Sequence, residues 1–123
     1  MRLLERLREA QAATEGAVEM ACRLVARAVA GKGGVLEHEG AALTSERVRT
    51  MIDVHLMRLG YEAPPSIVAS GASCGDCHDH GHGEIRTGET VIIDIFPRSK
   101  SHLYTGDSTR VVVHGEARPE VVA

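Results

Sequence analysis

The segment that constrains the fold most is Thr90–Phe96, which reads Thr-Val-Ile-Ile-Asp-Ile-Phe. Its apolar residues are β-branched or aromatic and lie on both faces, which is typical of a central strand in a covered sheet. Asp94 interrupts this apolar run, and burial of its carboxylate is costly unless a partner or a metal ion compensates the charge. Other elements are therefore expected to pack on both faces of this strand, and Asp94 is expected to have a partner.

Two helices are predicted before this strand. Apolar residues recur at three- and four-residue intervals over residues 2–30, which predicts one long helix that the glycines of residues 31–34 terminate. A second helix is predicted over residues 45–59, with Thr44 as its N-cap. A third helix would begin near Pro119, at the position where proline is favoured in a first turn.

Strands are predicted in the second half of the chain. Residues 66–71 follow two prolines and read as a short strand, and residues 109–113 read as the hairpin partner of residues 90–96. Residues 97–106 are predicted to be a connection without regular structure. Because the helices precede the strands, we expect an α+β fold with helices packed on one face of a mainly antiparallel sheet.

Size and charge exclude several classes of protein. The chain has 123 residues and a net charge of −3, which predicts a single domain and disfavours nucleic acid or an anionic membrane as a partner. It has no apolar run long enough to cross a membrane, and its charged N-terminal segment lacks the apolar centre of a signal peptide. The expected compartment is therefore the cytoplasm.

The loop predicted over residues 72–83 is rich in cysteine and histidine. Its Cys74-Gly-Asp-Cys77-His78 has the spacing of haem c attachment, which needs export and a second axial ligand. A zinc site would combine both cysteines with two of the three histidines of the loop, His78, His80 and His82. The remaining alternative is a solvated loop in which most of these side chains have no function.

Two aspartates are candidate metal ligands. If residues 90–96 pair with the strand that follows Asp107, the carboxylates of Asp94 and Asp107 can reach one point at the end of the sheet. Two oxygen donors that converge in this way suit a divalent cation and, with further carboxylates, a two-metal site. The alternative is that Asp94 pairs with an arginine and Asp107 caps a turn.

Several segments in order resemble one known family, the pita-bread metallopeptidases. They are Ile67-Val-Ala-Ser-Gly, His78, Arg86-Thr-Gly-Glu-Thr-Val-Ile-Ile-Asp94, Tyr104-Thr-Gly-Asp107-Ser-Thr-Arg110 and Gly115. The family includes Xaa-Pro aminopeptidases, prolidases, methionine aminopeptidases and creatinase. The helix that begins Arg8-Glu-Ala-Gln-Ala-Ala-Thr-Glu also fits its first catalytic-domain helix.

The resemblance implies roles for three residues. Asp94 and Asp107 match the two aspartates that bind metal, and His78 matches an active-site histidine that contacts the substrate. The cofactors implied are two divalent metal ions, with Mn, Co, Zn or Fe all compatible with the ligand types. The family site has two further glutamates and a histidine as ligands, and these come from the second half of the fold. Residues 1–123 would then be the N-terminal half of a pita-bread catalytic domain.

The function implied is that of a metal-dependent aminopeptidase or dipeptidase, of the Xaa-Pro aminopeptidase or prolidase type. Two metals would activate a hydroxide for attack on peptides, proline-containing ones among them. This chain alone is expected to be inactive until a C-terminal half joins it as a second fragment or chain, and the complete protein is expected to be a homodimer. The alternatives are a non-catalytic binding protein of the same fold, and a haem or zinc protein built on the cysteine motif.

Overall fold

The computed structural model describes residues 3–62, 65–71 and 80–115. Two helices, α1 (Leu3–Arg27) and α2 (Ser45–Arg58), pack against each other and against an antiparallel sheet. That sheet consists of β5 (Ile67–Ser70), β6 (Thr90–Ile95) and β8 (Ser108–Val113) in the order β5-β6-β8. The α+β class predicted from the sequence is confirmed. The predicted helix at Pro119 lies outside the described residues.

Helix α1 covers the sheet with small side chains. Its fully or almost fully buried residues follow the predicted three- and four-residue spacing and are Ala10, Thr14, Ala17, Val18, Ala21 and Val25. Leu3 and Leu7 belong to the apolar residues that predicted this helix, but they are 58% and 41% exposed because the buried part of the helix begins only at Ala10. The helix also ends before residue 30, since Val29–Ala30 forms strand β1.

Helix α2 begins where the sequence predicts. The hydroxyl of Thr44 accepts a hydrogen bond from the backbone N–H of Arg47 at 3.1 Å, which satisfies a donor of the first turn that has no partner within the helix. Its buried stripe is Val48, Ile52 and Leu56. Leu59 falls outside this stripe because the helix has already ended at Arg58.

Strand β6 is central in the sheet, as predicted, but it is covered less completely than its composition suggested. Val91, Ile93 and Ile95 are fully buried and form one face. The alternate face, with Ile92 and Asp94, is only partly buried. Among the described residues, the helices therefore cover one face of this strand and leave the face of Asp94 open.

Two smaller sheets were not predicted. β1 pairs with β2 (Leu36–His38), which pairs with β3 (Ala41–Ala42), and a 3-10 turn at Lys32–Gly34 joins the first two strands. β4 (Tyr61–Glu62) pairs with β7 (Arg98–Ser99), which lies inside the predicted connection. Strands of two or three residues are too short to show a periodicity of two in the sequence.

The end of the histidine-rich loop is held tightly between α2 and β5. Arg49 donates to the carbonyl oxygens of His80 at 2.8 Å and Gly81 at 2.6 Å, and the carbonyl of His80 also accepts from the N–H of Val68 at 2.9 Å. Glu46 accepts from the N–H of Gly83 at 3.0 Å. Residues 80–83 have no helix or strand, which agrees with the predicted loop; the remainder, 72–79, lies outside the described residues.

None of the helices in the described part of the chain has the length and apolar character needed to cross a membrane.

The backbone at Gly81 generates a prediction about stability. Gly81 has φ = +93°, and a Cβ at this position would overlap the carbonyl oxygen of Val68. We expect Gly81→Ala to lower the free energy of unfolding by at least about 2 kcal/mol, through backbone strain and overlap. Urea unfolding measures this change.

The matched control is Gly16→Ala, which is the same substitution inside helix α1 with no atom within 4 Å of the added Cβ. It should raise the free energy of unfolding by about 0.5–1 kcal/mol, because alanine is the better helix former. Equal effects of the two substitutions would contradict this description of the Gly81 contact.

Candidate metal centre

Asp94 lies on the open face of β6, opposite Thr109 of β8. The Thr109 hydroxyl donates to Asp94 Oδ1 at 3.0 Å, and the carboxyl group is partly buried. The alternative expected from the sequence, a pairing of Asp94 with an arginine, is not observed within the described residues; the side chains that interact with Asp94 there are Thr109 and Asp107.

Asp107 lies immediately before β8 and is exposed. It is two residues before Thr109, the residue opposite Asp94, and its carboxylate is close enough for its charge to act on Asp94. Burial raises the pKa of Asp94, the hydrogen bond from Thr109 lowers it, and the charge and hydrogen bonding of Asp107 raise it further. The two aspartates singled out in the sequence therefore meet, as expected from the predicted hairpin.

The chemistry of this pair fits a divalent cation. The partly buried carboxylate of Asp94 and the exposed carboxylate of Asp107 carry like charges, and a cation bound between them would offset their repulsion. They provide hard oxygen donors, which suit Mg²⁺, Mn²⁺ and related ions. The described segments hold no group of three or more histidine, cysteine, aspartate or glutamate side chains that could bind a metal ion together.

The other candidate residues are on the histidine-rich loop. His78, Cys74 and Cys77 lie outside the described residues, so the structure gives no position for the predicted substrate contact or for the haem and zinc alternatives. His80 is exposed, and its Nδ1 is 3.2 Å from the carbonyl oxygen of Pro65. His82 is also exposed.

One polar residue at this centre was missed in the sequence. The side-chain amide of Gln11, on α1, forms hydrogen bonds with both backbone groups of Asp107: Nε2 donates to the carbonyl oxygen at 2.9 Å, and Oε1 accepts from the N–H at 3.2 Å. The sequence signal was only a glutamine one residue away from the buried Ala10. Nothing in its spacing indicates a contact with a residue 96 positions later.

Comparison with protein families gives a match over almost the whole chain. The family described as metallopeptidase family M24 matches residues 5–123. No curated protein gives a significant match to this sequence.

Solved structures of peptidases have the same fold. The chain is 22% identical to X-Pro aminopeptidase from Thermotoga maritima, with a TM-score of 0.71, over 97% of this chain and 30% of that one. It is 20% identical to prolidase from Pyrococcus furiosus, with a TM-score of 0.73, over 95% of this chain and 31% of that one. It is 25% identical to a variant of Escherichia coli aminopeptidase P in complex with substrate, with a TM-score of 0.71, over 94% and 24%.

These matches confirm the pita-bread fold that the sequence resemblance implied. The likeness covers only part of each of these proteins, because this chain spans between 24% and 31% of the length of the three structures. The matched region is the N-terminal part of the family domain.

The contact between the aspartates predicts how metal-free stability depends on pH. Because the pKa of Asp94 is raised above 3.8 by folding, the folded state binds the proton more tightly, and stability falls as pH rises through the raised value. We expect Asp94→Asn to raise the melting temperature at pH 7 in the presence of a chelator, and to have little effect below about pH 3.8, the ordinary value for aspartate.

The control is Glu62→Gln. The hydrogen bond and charge of Arg98 lower the pKa of Glu62, so its contribution to stability has the opposite sign and is lost as pH falls. Thermal melts from pH 3 to 8 distinguish the two variants. A lower melting temperature for Asp94→Asn at pH 7 without metal would contradict the raised pKa of Asp94, which comes from burial and from the nearby Asp107.

Proposed function

This chain belongs to metallopeptidase family M24, and from that membership we propose that it provides the first half of the active site of a metal-dependent peptidase. The activity proposed is removal of an N-terminal residue from peptides, of the Xaa-Pro aminopeptidase or prolidase type. The observation that carries the proposal is the contact between the Asp94 and Asp107 carboxylates at one end of the β6–β8 pair.

In this proposal each candidate residue has one role. Asp94 and Asp107 hold two divalent cations, and the hydrogen bond from Thr109 at 3.0 Å orients the Asp94 carboxylate. Divalent cations bound there supply Lewis-acid polarisation of the peptide carbonyl and activation of water. His78 contacts the substrate and donates a hydrogen bond to the oxygen on which negative charge develops. The ligand types are compatible with Mn, Co, Zn or Fe.

The site is completed by a second half of the domain, on this proposal. The open face of the sheet supports it, because Asp94 shares that face with apolar side chains that the described residues leave uncovered. Ile92 is partly exposed there, and Val111, opposite it on β8, is 62% exposed. We refer to this chain joined to its second half as the complete assembly, and a homodimer of that assembly is part of the same proposal.

The names of the solved structures of similar fold support a proposal for the substrate class. They are described as an X-Pro aminopeptidase, prolidases and aminopeptidase P. We therefore propose peptides with proline after the first residue as substrates. A zinc site of Cys74, Cys77 and two of the loop histidines would appear as loss of metal in the cysteine variants described below. A non-catalytic binding role would appear as absence of turnover in the unmodified assembly.

The metal assignment predicts a thermal shift that depends on both aspartates. In the complete assembly, Mn²⁺ at 100 times its dissociation constant should add about 2.7 kcal/mol to the free energy of unfolding. Asp107→Asn and Asp94→Asn should each abolish this gain, because a neutral amide replaces a charged donor. Thermal melts with and without Mn²⁺ measure it, and Asp53→Asn on α2 is the control that should retain it. An unchanged shift in either site variant would overturn the metal assignment.

The role of His78 predicts a loss of turnover without a loss of metal. His78→Ala should lower kcat for an Xaa-Pro peptide by about 10²–10³-fold, the usual effect of removing a donor to a developing oxyanion. Metal content, measured by mass spectrometry of the purified assembly, should stay constant. Cys74→Ser and Cys77→Ser are the controls and should change neither quantity. Loss of metal in proportion to activity would instead identify His78 as a ligand and favour the zinc alternative.

A further inference from the structure

The backbone before Asp107 is pressed directly against helix α1. Gly106 is buried, and a Cβ on it would overlap the hydroxyl of Thr14 and lie 2.6 Å from the carbonyl oxygen of Ala10. Thr14 is itself fully buried, and its hydroxyl donates to the carbonyl oxygen of Ala10 at 2.7 Å. The surface of α1 that faces Gly106 therefore cannot move aside. The N–H of Gly106 donates to the carbonyl oxygen of Pro97 at 3.1 Å. The backbone directly before Asp107 is therefore held both by packing against α1 and by a hydrogen bond to Pro97.

Gln11 fixes the next peptide groups in the same way. Its amide accepts from the N–H of Asp107 at 3.2 Å and donates to its carbonyl oxygen at 2.9 Å, as a neighbouring strand would. The second N–H of this amide donates to Glu15 Oε1 at 3.3 Å, one turn along the helix. The two hydrogen bonds to the backbone of Asp107 are enough to fix the orientation of the Gln11 amide, and the contact with Glu15 lies on the exposed surface.

These hydrogen bonds restrain a residue that lies next to Asp94. Asp107 is two residues before Thr109, the residue opposite Asp94 in the strand register, so both acidic residues lie at the same end of the β6–β8 pair. Asp107 is exposed, and packing around its own side chain does little to prevent its withdrawal from Asp94. The hydrogen bonds of Gln11 restrain the backbone from which this carboxylate extends, and restraint of a ligand before binding reduces the entropy lost on binding.

We propose that Gln11 is a positioning residue for the metal centre, which acts by fixing the backbone of Asp107 so that its carboxylate stays directed at Asp94. The inference rests on the proposed function, in which Asp107 is a metal ligand. Gln11 touches neither substrate nor metal in this role. Its effect reaches the cations only through Asp107, as with other residues that orient metal ligands.

The test measures Co²⁺ binding to the complete assembly by calorimetry and by visible absorption. Gln11→Met keeps the length of the side chain and the helix propensity but removes both hydrogen bonds to Asp107. It should weaken Co²⁺ binding by about 10- to 100-fold and change the visible spectrum of bound Co²⁺, because the ligand geometry changes. Glu15→Ala is the matched control: it removes the other partner of Gln11, leaves both contacts with Asp107, and should keep the affinity within about twofold of the unmodified protein.

The outcomes separate this inference from the proposed function. Asp107→Asn should abolish the Co²⁺ signal; if it does not, the proposed function fails and the role of Gln11 fails with it. If Asp107→Asn abolishes binding while Gln11→Met retains the original affinity and spectrum, only the positioning role is overturned. A fall in the metal-free melting temperature with an unchanged Co²⁺ spectrum would make Gln11 merely structural.

Gln11→Asn is the second variant, because its side chain is too short to make both contacts with Asp107. Failure of both variants to fold would also overturn the positioning role.

Discussion

The contact between the carboxylates of Asp94 and Asp107 is the interaction on which the rest of this structure depends. Partial burial of the Asp94 carboxylate and the nearby charge of Asp107 both disfavour its ionised form, and they raise the pKa of Asp94. The chain nevertheless holds the two carboxylates together. The register of β6 and β8 places Thr109 beside Asp94, and the backbone at Gly106 packs against α1 directly before Asp107. A contact that lowers stability yet is held by several independent elements is characteristic of a functional site.

The second constraint is that the two faces of the sheet are buried to different extents. Helices α1 and α2 bury the face of Val91, Ile93 and Ile95, whereas the face that carries Asp94 is partly open within the described residues. The same face therefore combines the polar pair and uncovered apolar surface. Both features have one explanation in the proposed second half of the domain, which would cover the apolar side chains and supply the remaining ligands. The chain spans between 24% and 31% of the length of the three structures compared above, which is consistent with this arrangement.

The sequence predicted those features that local chemistry determines. The Thr44 cap, the centre of helix α2 and the central strand β6 all follow from residue type and periodicity, and each is observed. The two short sheets escaped prediction because their strands contain only two or three residues, and in one of them β4 also pairs with a segment remote in sequence, β7. The meeting of the aspartates was predicted from a hairpin, which is a local element. The hydrogen bonds of Gln11 with Asp107 were not predicted, because the two residues are 96 positions apart and only folding brings them together.

Anomalous X-ray diffraction from crystals of the complete assembly grown with Mn²⁺ tests the central claim most directly, because it locates the cations without reference to activity. The account predicts two anomalous peaks about 3.5–4 Å apart. Carboxylate oxygens of Asp94 and Asp107 should lie within about 2.0–2.6 Å of them, the range for oxygen ligands of divalent cations. Mn²⁺ bound elsewhere in the assembly, with both carboxylates free of metal, would contradict it.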